Sequence, residues 1–328
     1  MVRRIALCLF VVAALCVAPA AAADGPGPYA QQGGTGVLSP DGATRFVAIP
    51  ASDNLGTVLE AVSTRDGTVR SWQAVAGSYG IPTLAYAANG ESLSHDARTL
   101  VLGDISGGTP SSFLVYATRT LALRNWVTLP GRFTFDALSP DGKRLYLIQY
   151  TRPNYDVSHY LVRAYDLRSN RLLPGRIADR TQKGWVMNGL PVTRTTSADG
   201  RWVYTLYQSG GNGYPFIHAL DTVRGVAHCV GLPLSNQNAP YNLVLSLHGG
   251  TLAVHWRSGR PFLNVDTATW RVTPAARAFP WLWAGLGAAA ALLALGLGAL
   301  LLRRRRRLQE LAQELDELLG LPEREVVV

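Results

Sequence analysis

Ser139-Pro140-Asp141-Gly142 followed by Lys143-Arg144-Leu145-Tyr146-Leu147-Ile148 is the stretch that decides the fold. Asp-Gly between two β-rich runs signals a hairpin, because Gly accepts a positive φ without steric cost. The same pattern stands at Ser39-Pro40-Asp41-Gly42 before Thr44-Arg45-Phe46-Val47-Ala48-Ile49. It stands again at Ser197-Ala198-Asp199-Gly200 before Arg201-Trp202-Val203-Tyr204-Thr205-Leu206. Degenerate copies occur at Ser94-His95-Asp96-Ala97 and Ser246-Leu247-His248-Gly249-Gly250. The five serines are 55, 45, 58 and 49 residues apart. Repeats of roughly 40–50 residues with four strands each are the signature of propeller blades.

Each turn is followed by a second β-rich run with its own turn. Leu161–Asp166, Phe216–Asp221 and Phe262–Asp266 are examples, each leading into a further short strand. No helical period of useful length appears in this region. The fold class expected is therefore all-β, a β-propeller of about five four-stranded blades. With the strands of a blade named A to D, the A–B and C–D turns share one face. The long connections 50–57, 103–112, 150–159, 176–193, 208–214 and 231–242 are all B–C or D–A, so parity collects them on the other face. Binding residues concentrate on loops of this kind, carried by a rigid scaffold. Arg152, Tyr155, Arg180, Lys183, Trp185, Tyr214 and Tyr241 form the candidate ligand face, since cations with aromatics suit an anionic or carbohydrate ligand or a protein partner.

The repeats resemble the WD40-like and YVTN-type β-propeller repeats of bacterial proteins, whose hallmark is a Ser-Pro-Asp-Gly turn, an apolar strand, then a strand ending in Asp before its turn. The resemblance covers about residues 35–275. It implies architecture and not activity, because propellers host many unrelated functions.

The two ends read differently. Arg3 and Arg4, an apolar run from Ile5 to Val17 and the alanines up to Ala23 predict a signal peptide over 1–23. The outside domain then spans 24–277. No charge occurs from Ala278 to Leu302, and about 20 apolar residues cross a bilayer core, so 278–302 is the expected single transmembrane helix. Trp281 and Trp283 suit an interfacial belt, and Arg303 to Arg307 hold the following tail, 303–328, on the cytoplasmic side. Leu308, Leu311, Leu315 and Leu318 recur at a/d spacing in a short cytoplasmic helix. With Gly285, Ala289, Gly296 and Gly298 they offer a homodimer seam.

Composition agrees with this division. The chain is 328 residues long and 48% hydrophobic, with only 16% charged residues and a net charge of +9. Residues 24–277 hold 23 Lys and Arg against 16 acids, a basic exterior that favours anionic envelope polymers or lipids through long-range attraction. Nucleic acid is not an expected partner of a domain outside the cell. Three Cys exclude a disulfide scaffold. Cys229 is the only Cys outside the leader. The domain has just two Glu, Glu60 and Glu91, and no His-x-x-x-His, Cys-x-x-Cys, Gly-x-Ser-x-Gly or P-loop spacing. No cofactor, metal or catalytic residue is therefore expected. The function expected is a membrane-tethered extracytoplasmic binding, scaffold or sensor module of a bacterium. The second reading is a hydrolase or lactonase-like enzyme with its site on the long-loop face.

Overall fold

The computed structural model describes residues 30–31, 36–51, 55–85, 92–152, 155–181, 187–208, 214–234, 239–275 and 281–318; in the last segment, side chains are described from 290 to 315. The expected signal peptide and its cleavage point lie outside the described residues. The chain divides into two compact units, Met1–Ala275 and Ala276–Val328.

The first unit is β throughout. A two-residue strand, β1 (Ala30–Gln31), precedes five antiparallel meanders. Blade 1 is β2 (Val37–Leu38), β3 (Thr44–Pro50), β4 (Gly56–Ser63) and β5 (Val69–Ala76). Blade 2 is β6 (Tyr79–Pro82), β7 (Thr99–Asp104), β8 (Ser111–Ala117) and β9 (Ala122–Leu129). Blade 3 is β10 (Arg132–Leu138), β11 (Arg144–Tyr150), β12 (Tyr160–Asp166) and β13 (Arg171–Leu172). Blade 4 is β14 (Leu190–Thr196), β15 (Trp202–Gln208), β16 (Phe216–Asp221) and β17 (Val226–Gly231). Blade 5 is β18 (Leu243–His248), β19 (Thr251–Trp256), β20 (Pro261–Asp266) and β21 (Val272–Pro274). Strand β1 adds to the inner edge of blade 2 by pairing Ala30 with Pro82 and Gln31 with Ile81. All five blades take their four strands from consecutive sequence, as in a five-bladed propeller.

The Ser-x-Asp motif forms these sheets for a local reason. Ser39 Oγ donates to Asp41 Oδ1 at 2.5 Å and accepts the Thr44 N–H at 2.9 Å, while Asp41 Oδ1 accepts the Ala43 N–H at 3.0 Å. Ser139 and Asp141 repeat the arrangement with the N–H groups of Arg144 and Lys143. Ser197 and Asp199 repeat it with Trp202 and Arg201. The degenerate copy at Ser94 makes the same bonds with Asp96, Thr99 and Arg98. There Ala97 takes the place of Gly at φ 58°. The backbone donors of a tight turn are thus satisfied by two short side chains, which is why Ser and Asp recur.

Blade 5 departs from the expected alignment. Ser246 does not open its turn; it lies within β18, opposite Ala253, and the hairpin closes through Gly249-Gly250 between His248 and Thr251. A two-residue loop needs no Ser-Asp scaffold, because Gly249 at φ 57° supplies the left-handed conformation.

A second set of bonds fastens the two turns of each blade together. The residue after strand C, Thr64, Thr118, Leu167, Thr222 or Thr267, donates its N–H to the carbonyl of Ala43, Arg98, Lys143, Arg201 or Gly250 at 2.9–3.2 Å. Four of the five add a hydroxyl bond to a turn carbonyl at 2.6–2.9 Å. The A–B and C–D turns therefore share one face, hereafter the turn face, and the B–C and D–A connections share the other, the loop face.

Four buried apolar clusters join successive blades. Leu59, Leu100, Leu102 and Leu121 centre the first, between blades 1 and 2. Leu145, Leu147 and Phe135 belong to the second, Tyr146, Val162 and Tyr207 to the third, and Leu206, Ile217 and Leu252 to the fourth. Among the described residues no such cluster joins blade 5 to blade 1, and Leu38 and Ile49 on that side of blade 1 are 45% and 39% exposed.

The second unit holds one helix, α1 (Trp281–Leu318), which runs unbroken through the arginines into the expected cytoplasmic tail. Among the described residues no helix is long and apolar enough to cross a membrane.

Candidate functional site

The expected ligand face starts from the B–C connection of blade 3. Tyr155 adopts φ 52° and donates its hydroxyl to the carbonyl of Gly107, in the B–C connection of blade 2, at 2.7 Å. Its ring meets Tyr150 edge-on at 5.0 Å and lies 5.8 Å from the Arg132 guanidinium. Tyr155 thus fastens one loop to its neighbour. The cavity it lines with Asp104, Thr134 and Phe133 is about 30 Å³, room for one water. Tyr241 does similar work, donating to the Gln208 side chain, while Arg257 bonds its carbonyl at 3.0 Å. Arg152 pairs with Asp156 at 3.3 Å and reaches Ser158 at 3.2 Å, with its side chain 57% exposed. Arg180 is exposed. Tyr214 is 67% exposed. Lys183 and Trp185 lie outside the described residues. The loop face therefore combines pinned tyrosines with exposed Arg152, Arg180 and Tyr214.

A much larger cavity, about 710 Å³, opens on the turn face. Residues from blades 1 to 4 line it, among them Leu38, Arg45, Ser94, His95, Arg194 and Ser197. Its volume falls in the range of small-ligand sites, roughly 300–1,000 Å³. Sequence parity could not find it, because it depends on the distance between turns of different blades. His95 approaches Gly200 across the mouth so closely that a Cβ on Gly200 would lie 2.6 Å from the His95 Cβ.

Behind Arg194 a polar row runs through blade 4. Arg194, Thr205, His218 and Cys229 are direct cross-strand partners on β14 to β17, so their side chains share the face turned to blade 3. Asp136 reaches this row from β10, where it is the extra residue of a bulge between Phe135 and Ala137. Bulges re-aim a side chain in this way. Arg194 Nη2 meets Asp136 Oδ1 at 2.5 Å, Nη1 meets the Asp136 carbonyl at 2.5 Å, and Nε donates to Thr205 Oγ1 at 2.7 Å. Both side chains are buried, at 1% and 0% exposure. Asp136 Oδ2 and His218 Nε2 have no protein hydrogen-bond partner. Burial drives the His218 imidazole down to about 4, so it is neutral at physiological pH. Burial pushes the Cys229 thiol up to about 12, which leaves it a poor nucleophile. Its N–H is held by Asp179 Oδ2 at 2.8 Å, and that carboxylate also meets His228 Nδ1 at 3.1 Å. Burial alone would raise Asp179, but hydrogen bonds from Thr181 and Cys229 keep it below the usual carboxylate range. The Arg194–Asp136 pair clamps the two blades together, while the neutral His218 and the inert Cys229 thiol meet each other at 3.5 Å within blade 4. Among the described residues no group of three or more His, Cys, Asp or Glu is placed to hold a metal.

No protein-family model matches the chain, and no curated protein sequence matches it. Among solved structures it is similar to hydrazine synthase of Kuenenia stuttgartiensis, at 17% identity over 74% of this chain and 78% of that one, with a TM-score of 0.37. It is similar to BamB from Moraxella catarrhalis at 18% identity over 69% and 62% of the two chains, TM-score 0.38. It is also similar to a TolB-type protein from Agrobacterium tumefaciens at 17% identity over 76% and 79%, TM-score 0.37. The propeller assignment rests on the molecule's own five four-stranded meanders and the packing between them.

Proposed function

We propose that this chain is a membrane-tethered, extracytoplasmic propeller of the WD40-like and YVTN type that binds a protein or cell-envelope ligand through its loop face. The observation that carries the reading is the pairing of exposed Arg152 and Tyr214 with tyrosines that pin the same loops, beside exposed Arg180. Contacts held on a rigid frame lose little entropy on binding. The tether is the uncharged run 278–302, bounded by Trp281 and Trp283 on one side and five arginines on the other. Ala23 is the proposed end of the leader, and the tail from 303 is cytoplasmic. Protease added to spheroplasts should then degrade the propeller and spare the tail; a protected propeller would overturn the orientation. Co-purification of the full-length chain from membranes, before and after changing Arg152, Arg180 and Tyr214 to Ala, tests the ligand face. Loss of a specific partner supports it, and an unchanged partner set rejects it.

The 710 Å³ cavity favours a second reading, a small ligand held at the turn face. Changing His95 to Trp at its mouth would abolish such binding without touching the loop face.

A further inference from the structure

The outermost strands of blades 1 and 2 share a pattern found in no other blade. Val69-Arg70-Ser71-Trp72-Gln73-Ala74-Val75 and Leu123-Arg124-Asn125-Trp126-Val127-Thr128-Leu129 align without a gap. The structure shows that the alignment is real. Val75 stands opposite Thr57, and Leu129 stands opposite Ser111. Thr57 donates to the Gly77 carbonyl and accepts the Tyr79 N–H at 2.9 Å; Ser111 donates to the Gly131 carbonyl and accepts the Phe133 N–H at 2.8 Å. Trp72 and Trp126 therefore hold equivalent positions one blade apart.

Both indoles face solvent. Trp72 is 65% exposed and Trp126 is 63% exposed, and the aliphatic residues three positions before them, Val69 and Leu123, are 48% and 49% exposed. Single exposed apolar residues are ordinary, but a repeated Trp and aliphatic pair on adjacent blades marks an interaction surface. The contrast with blade 5 is direct: its Trp270 is half-buried against His228 at 4.7 Å and Trp202 at 5.4 Å. Strands β5 and β9 each carry one Arg and no acid; the preceding turns add exposed Arg65 and Arg119 and one exposed acid, Asp66, so the rim holds four Arg against one acid.

We infer that this rim docks on an anionic phospholipid surface, with Trp72 and Trp126 at the headgroup level and Arg70 and Arg124 over the phosphates. The inference rests on the membrane-tethered reading above. Indoles with aliphatic neighbours suit the interface because a large apolar ring carries one polar edge; Trp126 Nε1 already donates to Ser112 Oγ at 2.8 Å, so its ring supplies apolar contact. The surplus of arginine on the rim, within a domain of 23 basic and 16 acidic residues, supplies the charge complementarity.

The test uses the full-length chain in vesicles, in a C8S, C16S, C229S background, with nitroxide labels at Ala74→Cys or Thr128→Cys. These exposed positions lie two residues beyond each Trp, on the same strand face. Val223→Cys, in the C–D turn of blade 4, is the aqueous control. In vesicles containing phosphatidylglycerol, oxygen accessibility at 74 and 128 should rise about twofold relative to 223, and W72S/W126S should abolish the rise. Labels at 74 and 128 that read as aqueous as 223 would overturn docking, and so would an equal rise in phosphatidylcholine alone. A label at Leu292→Cys reports the tether separately: lipid-exposed 292 with aqueous 74 and 128 rejects the rim and keeps the tether, and aqueous 292 rejects the tether.

Discussion

The two faces of the propeller are built by opposite rules. On the turn face, four blades repeat one set of Ser, Asp and backbone bonds, and all five fasten strand C to the A–B turn in the same way. Residue identity there is dictated by the backbone. On the loop face only the two-residue links at Gly77 and Gly131 share a length and a bonding scheme; the B–C connections all differ, and long polar side chains reach solvent. The difference separates what makes the fold from what is available for recognition.

The largest expected effect lies just beneath the turn face. Arg194→Leu would strand the Asp136 carboxylate, buried at 0% exposure, without a partner. Removing one member of a buried pair costs about 3–5 kcal/mol, so chemical denaturation should show a loss of that size. A loss below about 1 kcal/mol would mean that the pair is solvated.

Next come two glycines of the same motif. Gly142 has φ 65°, and a Cβ there would lie 2.5 Å from the Thr99 Cβ, whereas Gly42 at φ 69° has open space. Gly142→Ala should cost about 2–5 kcal/mol from left-handed strain plus overpacking, and Gly42→Ala only the strain of about 1–2 kcal/mol. Equal costs would show that the turns do not pack against their neighbours.

Acid should separate the interior from the turns. His218 has a folded value of about 4 against an ordinary 6.5. The unfolded chain therefore takes up the proton first, and stability should fall by about 3 kcal/mol as pH drops from 6.5 to 4. His218→Leu should flatten that window. The turn carboxylates of Asp41 and Asp199 are held below 3.8, chiefly by the Ser39 and Ser197 hydroxyls, so their contribution is lost only below that pH. A smaller effect follows from Ser139→Ala. It removes one donor and one acceptor from a buried turn and should cost about 1–2 kcal/mol, seen as a lower Tm.

The turn face was legible in the sequence because its chemistry is local. Ser and Asp two residues apart bond each other and the next few N–H groups, and even Ser94, with Ala97 for Gly, was readable. Ser246 misled because a two-residue Gly-Gly hairpin shortens the loop and draws the serine into the strand. The threonines after strand C escaped notice, since their partners lie about 20 residues away. The Arg194 row was out of reach for a stronger reason: it needs the register of four strands and a bulge at Asp136. On the loop face, residue types were identifiable, but their roles were not. Tyr155 and Tyr241 tie loops together through contacts with residues 48 and 33 positions distant.

The smallest effect on stability and the largest on recognition should come from the loop face. Arg152→Ala, Arg180→Ala and Tyr214→Ala are exposed changes, each expected within about 0.5 kcal/mol of neutral. The deciding measurement is quantitative co-purification from membranes of the full-length chain carrying all three. A second chain carries Arg168→Ala and Arg224→Ala on the turn face, an equal change in charge. The first chain, with an unchanged Tm, should lose its partner, and the second should retain it. Retention by the first chain, or equal loss by both, would contradict recognition through the loop face.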